Sequence, residues 1–258
     1  MPQIHLHAEP GDYAPVCLIP GDPNRATRIA GRFDGGLAAT RLVTSHRGLL
    51  GYTGTVSGVP VSVQTTMMGT PTTSIVMEEL LNLGVTTFIR VGTAGGFGRL
   101  AIGDVVVALA AAGATGMAGI LGSGEATAPT ADFEVVQALA TAAEAAGLVT
   151  HVGPVVTSDV FYDPDPDGVA RWGHRGYLGV EMETAAVYLL AMRERAKGRP
   201  VRAGSILTVS DVILDAAFEQ QVQAEGGKAF YRPPEEEVTR RVDLTIGAAM
   251  AAAAALGA

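Results

Sequence analysis

Three arginines stand beside glycine-bearing turns: Arg25 in PGDPNRA (20–26), Arg47 in SHRGLLGYTG (45–54) and Arg90 in RVGTAG (90–95). A glycine turn can aim backbone N–H groups at an anion while an arginine adds a charged, forked donor. Arg90 interrupts the apolar run VTTFIRV (85–91), where an unpaired guanidinium is costly, so it needs a carboxylate or a bound anion. Gly21 precedes Arg25 by four residues, Thr93 offers a hydroxyl, and Gly92 and Gly95 let the backbone approach a ligand. Taken singly, PGDPNRA is equally an ordinary strand-ending turn with a solvated arginine, and SHRGLLGYTG says little. Together the three fit one dianionic oxyanion better than three unrelated surfaces. GTAGGFG (92–98) lacks the G-x-G-x-x-G spacing and has no capped helix after it, which sets dinucleotide binding aside.

A second constellation is acidic. VEMET (180–184) puts Glu181 and Glu183 around Met182 where a helix is expected to begin. Carboxylates there either complement the helix dipole or hydrogen-bond sugar hydroxyls, with the methionine packed on the sugar. TVSD (208–211) puts Ser210 and Asp211 just past an expected buried strand. That aspartate is a helix cap or a general acid aimed at a leaving group, and the segment alone does not choose. His5 and His7 alternate as some metal ligands do, but no third ligand lies nearby and His46, His151 and His174 are scattered, so no metal site is expected. Cys17, inside the apolar VCLI, reads as a small buried side chain rather than a nucleophile.

The elements that must position these residues alternate. Strands are expected at 15–19, 59–66, 85–91, 104–110, 152–157 and 202–209, and helices at 133–146, 183–196 and from about 234 to 256. A further helix begins with Thr70 as N-cap and Pro71 at the first position, and stops at Gly84. The stretch 113–131, rich in Gly, Ala, Ser and Thr, reads as irregular. Such alternation predicts an α/β fold, one domain over 1–258, with a central mixed sheet flanked by helices on both faces. Ligands in such sheets collect beyond the carboxyl ends of the strands, where the glycine-rich and polar turns fall.

Composition agrees. Of 258 residues, 48 % are hydrophobic and 17 % charged, enough for a core and contrary to disorder. A net charge of −8 disfavours non-specific nucleic-acid binding while leaving room for a local anion site. The N-terminal MPQIHLHAEPGD has neither a basic nor an apolar signal region, and the alanine-rich 247–258 is shorter than a membrane span. With a lone cysteine and no disulfide framework, a cytoplasmic protein without membrane attachment is expected.

Seven segments, in order, resemble the nucleoside phosphorylase family, and most nearly its hexameric bacterial purine nucleoside phosphorylases. They are HLHAEPGDYA (5–14), PGDPNRATRIA (20–30), HRGLLGYTG (46–54), VSVQTTMMGTPTTSIVMEEL (61–80), IRVGTAG (89–95), GVEMETAAVY (179–188) and TVSD (208–211). The resemblance implies a distorted, barrel-like sheet and a phosphate site of Gly21, Arg25, Arg90 and Thr93. Arg47 would reach in from a neighbouring subunit, and His5 from that same neighbour would meet the ribose 5′ end. Met182 and Glu183 would hold the ribose, Phe161 and Val180 would flank the base, and Asp211 would protonate purine N7. Glu181 and Ser210 are carried as further nucleoside contacts. The implied assembly is a homo-oligomer, a hexamer built as a trimer of dimers with shared sites. Three departures stand out: Met67-Met68 where many members have glycine before methionine, Thr93 for a serine, and a fading match after Val212. Members often carry an arginine there that assists the aspartate; Arg232 and Arg240 are the candidates.

The implied reaction is phosphorolysis of purine (deoxy)ribonucleosides to base and (deoxy)ribose 1-phosphate, in purine salvage. Inorganic phosphate is the co-substrate, no cofactor is needed, and Asp211 must carry a proton when the base leaves. Uridine phosphorylases share the fold, but they typically carry a Gln-x-Arg pair that FYDPDPDGVARWG (161–173) lacks, and pyrimidines have no N7. Other readings are a methylthioadenosine phosphorylase, a phosphate-independent nucleosidase, which has no need of three arginines, and a non-catalytic nucleoside- or phosphate-binding protein, which has no need of Asp211.

Overall fold

The structure is a computed structural model that describes residues 2–98, 100–165, 167–213 and 234–258. Among these, nine strands join in one sheet: β1 (Val16–Ile19), β2 (Arg41–Thr44), β3 (Gly51–Val56), β4 (Val59–Gln64), β5 (Thr87–Phe97), β6 (Val105–Ala114), β7 (Thr150–Ser158), β8 (Gly179–Glu181) and β9 (Arg202–Ile213). Their order is β2-β3-β4-β1-β5-β8-β7-β6-β9, and β9 also pairs with β5, so the last five strands close into a barrel-like ring. Pairing is mixed: β1–β5, β5–β9 and β6–β7 are parallel, while β5–β8 and β6–β9 are antiparallel. The expected mixed, distorted barrel is what forms.

Seven helices flank the sheet among the described residues: α1 (Pro23–Ala30), α2 (Thr70–Asn82), α3 (Gly116–Leu121), α4 (Phe133–Ala145), α5 (Ala170–Gly173), α6 (Thr184–Ala196) and α7 (Glu235–Gly257). They divide the core in two. One face packs Val76, Met77 and Leu80 of α2 against Val187, Tyr188 and Leu190 of α6. The other packs Ile29 of α1, Val135 and Leu139 of α4, and Ile246 and Ala249 of α7. Buried alanines at 248, 249, 252 and 253 let α7 lie close against β1 and β4.

Several expectations move. PGDPNRA is not merely a turn: Asp22 caps α1, its carboxylate accepting the Asn24 amide at 2.9 Å, so Arg25 sits in a helical first turn. The glycine-rich RVGTAG lies inside β5, and TVSD lies inside β9 rather than beyond it. Glycine runs read locally as turns, yet here β5 keeps its parallel pairing with β9 through Phe97, broken only by a bulge at Ala94/Gly95. The 113–131 stretch contains α3, whose N-cap Thr115 accepts the Ala118 amide at 3.0 Å. Gly69, not Thr70, is the N-cap of α2, and its φ of +89° suits glycine. The β2–β3 hairpin arm and the short β8 lie outside the strands expected from the sequence. No described helix is long and apolar enough to cross a membrane.

Candidate active site

A cavity of about 800 Å³ opens at the carboxyl ends of β1, β5 and β9. It is of a size to hold a small organic ligand. Gly21, Arg25, Arg90 and Thr93 line one part of it. Phe161, Val180, Glu181, Met182, Glu183, Ser210 and Asp211 also line it.

At the Arg25 end, β1 runs into Gly21 and α1 brings Arg25 back towards the sheet. A Cβ on Gly21 would stand 3.0 Å from the Met67 carbonyl oxygen, so a side chain there crowds the turn. Arg25 donates through Nη1 to the Val91 carbonyl at 3.1 Å, but its Nε is buried without a partner. Burial, then the charge of Arg90, pushes the Arg25 guanidinium down to about 10. An anion in the cavity would offset the repulsion between the two guanidinium groups.

The partner that the buried Arg90 required is a pair of carboxylates. Its Nε donates to Glu181 Oε2 at 2.9 Å, and its terminal nitrogen pairs with Glu183 Oε2. Burial alone would lower Arg90, but Glu183 and Glu181 together hold it above its ordinary value. Gly92 makes room for this fold-back, since a Cβ there would lie 2.8 Å from the Arg90 guanidinium.

Glu181 ends β8 and is saturated. It accepts the amides of Glu183 and Thr184 at 2.9 Å, capping α6 as the helix dipole favours, and also the Thr157 hydroxyl. Glu183 instead keeps capacity toward the cavity: Oε1 accepts the Gly69 amide at 2.7 Å and Oε2 faces Arg90. Burial pushes its carboxyl above the usual range; Arg90 opposes the rise and Glu181 adds to it.

At the opposite end, three strands meet in register. Gly95 of β5 pairs with Val180 of β8 on one side and with Asp211 of β9 on the other, beside a bulge at Ala94/Gly95. Strand spacing of about 4.8 Å then separates the Val180 and Asp211 backbones by roughly 10 Å, with side-chain-free Gly95 as the floor between them. The Ser210 hydroxyl donates to Asp211 Oδ1 at 2.7 Å. Asp211 is thus a strand residue and not a helix cap.

His5 and Arg47 lie outside this cavity in their own chain, but close to each other. Glu79 fixes the N-terminal segment, accepting the amides of His5 and Leu6 and lying 2.7 Å from His5 Nδ1. His46 Nδ1 donates to the His5 carbonyl at 2.8 Å, and the His46 ring stacks on His7 with centroids 3.7 Å apart. Next to it, Arg47 adopts φ +55°, unusual for a residue with a side chain. Arg240 also lies elsewhere, in a surface groove with Glu236, Thr239 and Asp243, and Arg232 lies outside the described residues. Cys17 is buried and its thiol is pushed up by that burial, as expected of an inert side chain. No group of three potential metal ligands occurs among the described residues. The structure adds the Gly69 amide and the walls Met67 and Val160, of which only Met67 drew notice in the sequence.

A closed sheet ring with buried arginines and glutamates lining a cavity at its strand ends defines the class: the chain belongs to the phosphorylase superfamily, whose family model matches residues 15–232. Among its relatives is the "purine nucleoside phosphorylase DeoD-type" of Geobacillus kaustophilus, 42 % identical over 213 residues, which covers 82 % of this chain and 86 % of that protein. Proteins of the same name from Roseobacter denitrificans and Clostridium perfringens are 41 % and 40 % identical, covering 81 % and 83 % of this chain and 86 % and 88 % of theirs.

Proposed function

We propose that the chain cleaves purine (deoxy)ribonucleosides with inorganic phosphate, giving free purine and (deoxy)ribose 1-phosphate. The observation that carries this reading is that one cavity holds both Arg25, with its orphan donor, and Asp211, which is paired with Gly95. Phosphate lies at Gly21, Arg25, Arg90 and Thr93, beneath the sugar. Met182 packs on the ribose and Glu183 accepts its 2′ and 3′ hydroxyls, while Glu181 serves as the anchor that aims Arg90. The purine rests between Phe161 and Val180.

As the C1′–N9 bond lengthens, positive charge grows on the sugar, and the phosphate oxygen stabilises it and then forms the new C1′–O bond. The bonding pair departs into the purine ring. Asp211, oriented by Ser210, delivers its proton to N7, a contribution of ~10²–10⁴-fold for a placed acid. Solvent then reprotonates the carboxylate. No cofactor enters any step.

The charges argue for a second copy. Within one chain Arg25 and Arg90 stand against Glu181 and Glu183, with Asp22, Asp163 and Asp165 also lining the cavity, which leaves a phosphate dianion under-compensated. Arg47, lent by a neighbour together with His5, supplies the missing cation. The assembly in this reading is a hexamer built as a trimer of dimers with shared sites, acting in the cytoplasm in purine salvage.

Incubation with inosine, with and without phosphate, tests the proposal. Hypoxanthine and ribose 1-phosphate should form only with phosphate. Phosphate-independent cleavage would overturn it in favour of a hydrolase, and faster turnover of uridine than of any purine nucleoside would move it to pyrimidines.

A further inference from the structure

The wall that carries Phe161 has little to hold it in place. Val160, Phe161 and Tyr162 are 50 %, 73 % and 89 % exposed, so apolar burial does not fix them. Phe161 and Tyr162 pack edge to face on each other, with ring centroids 5.0 Å apart. A local turn, in which Ser158 Oγ contacts both the amide and the carbonyl of Val160 at 3.1 Å, shapes the backbone but does not attach it to the body.

The attachment comes from the residue between them. Asp159 Oδ1 accepts the Thr70 hydroxyl at 2.9 Å, and Oδ2 accepts the Gly116 amide at 2.9 Å. Thr70 is fully buried and opens α2. Its neighbour Gly69 donates the amide that holds Glu183 Oε1 at 2.7 Å. One carboxylate therefore refers the exposed aromatic wall and the sugar-facing glutamate to the same point, the N-terminus of α2.

We propose that Asp159 is a positioning residue for nucleoside binding, setting the distance between the Phe161 wall and Glu183 by clasping Thr70 and Gly116. The proposal rests on reading the cavity as a nucleoside site. Asp159 touches neither phosphate nor the anion pocket, so its loss should weaken the nucleoside alone. Removing the clasp leaves the wall free to drift, and misplacement by about 1 Å can cost up to ~10²-fold.

Steady-state kinetics of the full chain with inosine and phosphate tests this, on wild type, Asp159→Ala, Thr70→Val and Thr70→Ser. Asp159→Ala should raise the inosine KM about tenfold or more while the phosphate KM stays within about twofold. Thr70→Val, which keeps the shape but loses the donor, should move the same constant in the same direction, and Thr70→Ser should restore it. Equal rises in both KM values, or a Thr70→Val enzyme indistinguishable from wild type, would overturn the clasp. Thr70→Val also decides the matter if Asp159→Ala does not fold. A wild-type chain that fails to cleave inosine would count against phosphorolysis instead. Equilibrium binding of inosine to the same variants then reads the clasp directly: weakening by Asp159→Ala and Thr70→Val supports it, and unchanged binding sinks it.

Discussion

Gly95 and Asp211 face each other across the β5–β9 ladder, and a Cβ on Gly95 would lie 3.1 Å from Asp211 Oδ2 and 2.8 Å from Ile213 Cδ1. The glycine is thus what gives the aspartate its place. Gly95→Ala should displace the carboxylate by a few tenths of an ångström and lower kcat about tenfold or more, with a smaller effect on the phosphate KM. Parallel measurement of kcat and Tm separates this from unfolding; an unchanged kcat would remove the positional argument.

Asp211→Asn tests the acid itself. It keeps size and a hydrogen-bond acceptor for Ser210 but has no acidic proton, so kcat on inosine should fall by ~10²–10⁴. Phosphate affinity, measured by protection or calorimetry, should stay nearly intact. Turnover at the wild-type rate would refute the role.

Mixed oligomers test the shared site. Arg47→Ala and Asp211→Asn chains should each be nearly inactive alone. Co-assembled, they should regain part of the activity, because some sites then receive an intact Arg47 and an intact Asp211. If mixed oligomers form and no activity returns, Arg47 does not cross between chains.

The Arg90–Glu181 pair makes a prediction about stability. Both side chains are almost wholly buried, and Glu181 also caps α6. Glu181→Ala should cost about 3–5 kcal/mol, the usual loss when one partner of a buried pair is removed. Urea unfolding at neutral pH measures it.

Acid sensitivity should trace in part to Glu194. This carboxylate at the end of α6 accepts from Lys197, Arg193 and Arg199, which hold it down to about 2 although burial opposes them. A folded-state value below the unfolded one of 4.5 means a stabilising contribution that is complete above that pH and lost as pH falls toward about 2. The stability gap between wild type and Glu194→Gln should therefore be largest near neutrality and close across that window in urea titrations.

Much of the scaffold was legible in the chain. β1 and β4 follow from short apolar, β-branched runs, and α2 from Pro71 and the glycine punctuation around it. Arg90 announced by its apolar surroundings that it needed a counter-charge, because a buried cation without one is too costly to occur. Which counter-charge it takes was not legible, since Glu181 lies 91 positions away and only the β5–β8 pairing brings them together.

Sequence alone determined the residue types at the site and the strand–helix alternation, because both rest on local chemistry and period. Tertiary structure decided that the glycine-rich segments are strands, since the β5–β9 pairing engages a backbone that by itself reads as turn. It also separated Glu181, saturated by Arg90, Thr157 and the α6 amides, from Glu183, which keeps a face to the cavity. And it put Asp159 on Thr70, 89 positions apart, a contact that closure of the sheet creates and no local pattern encodes.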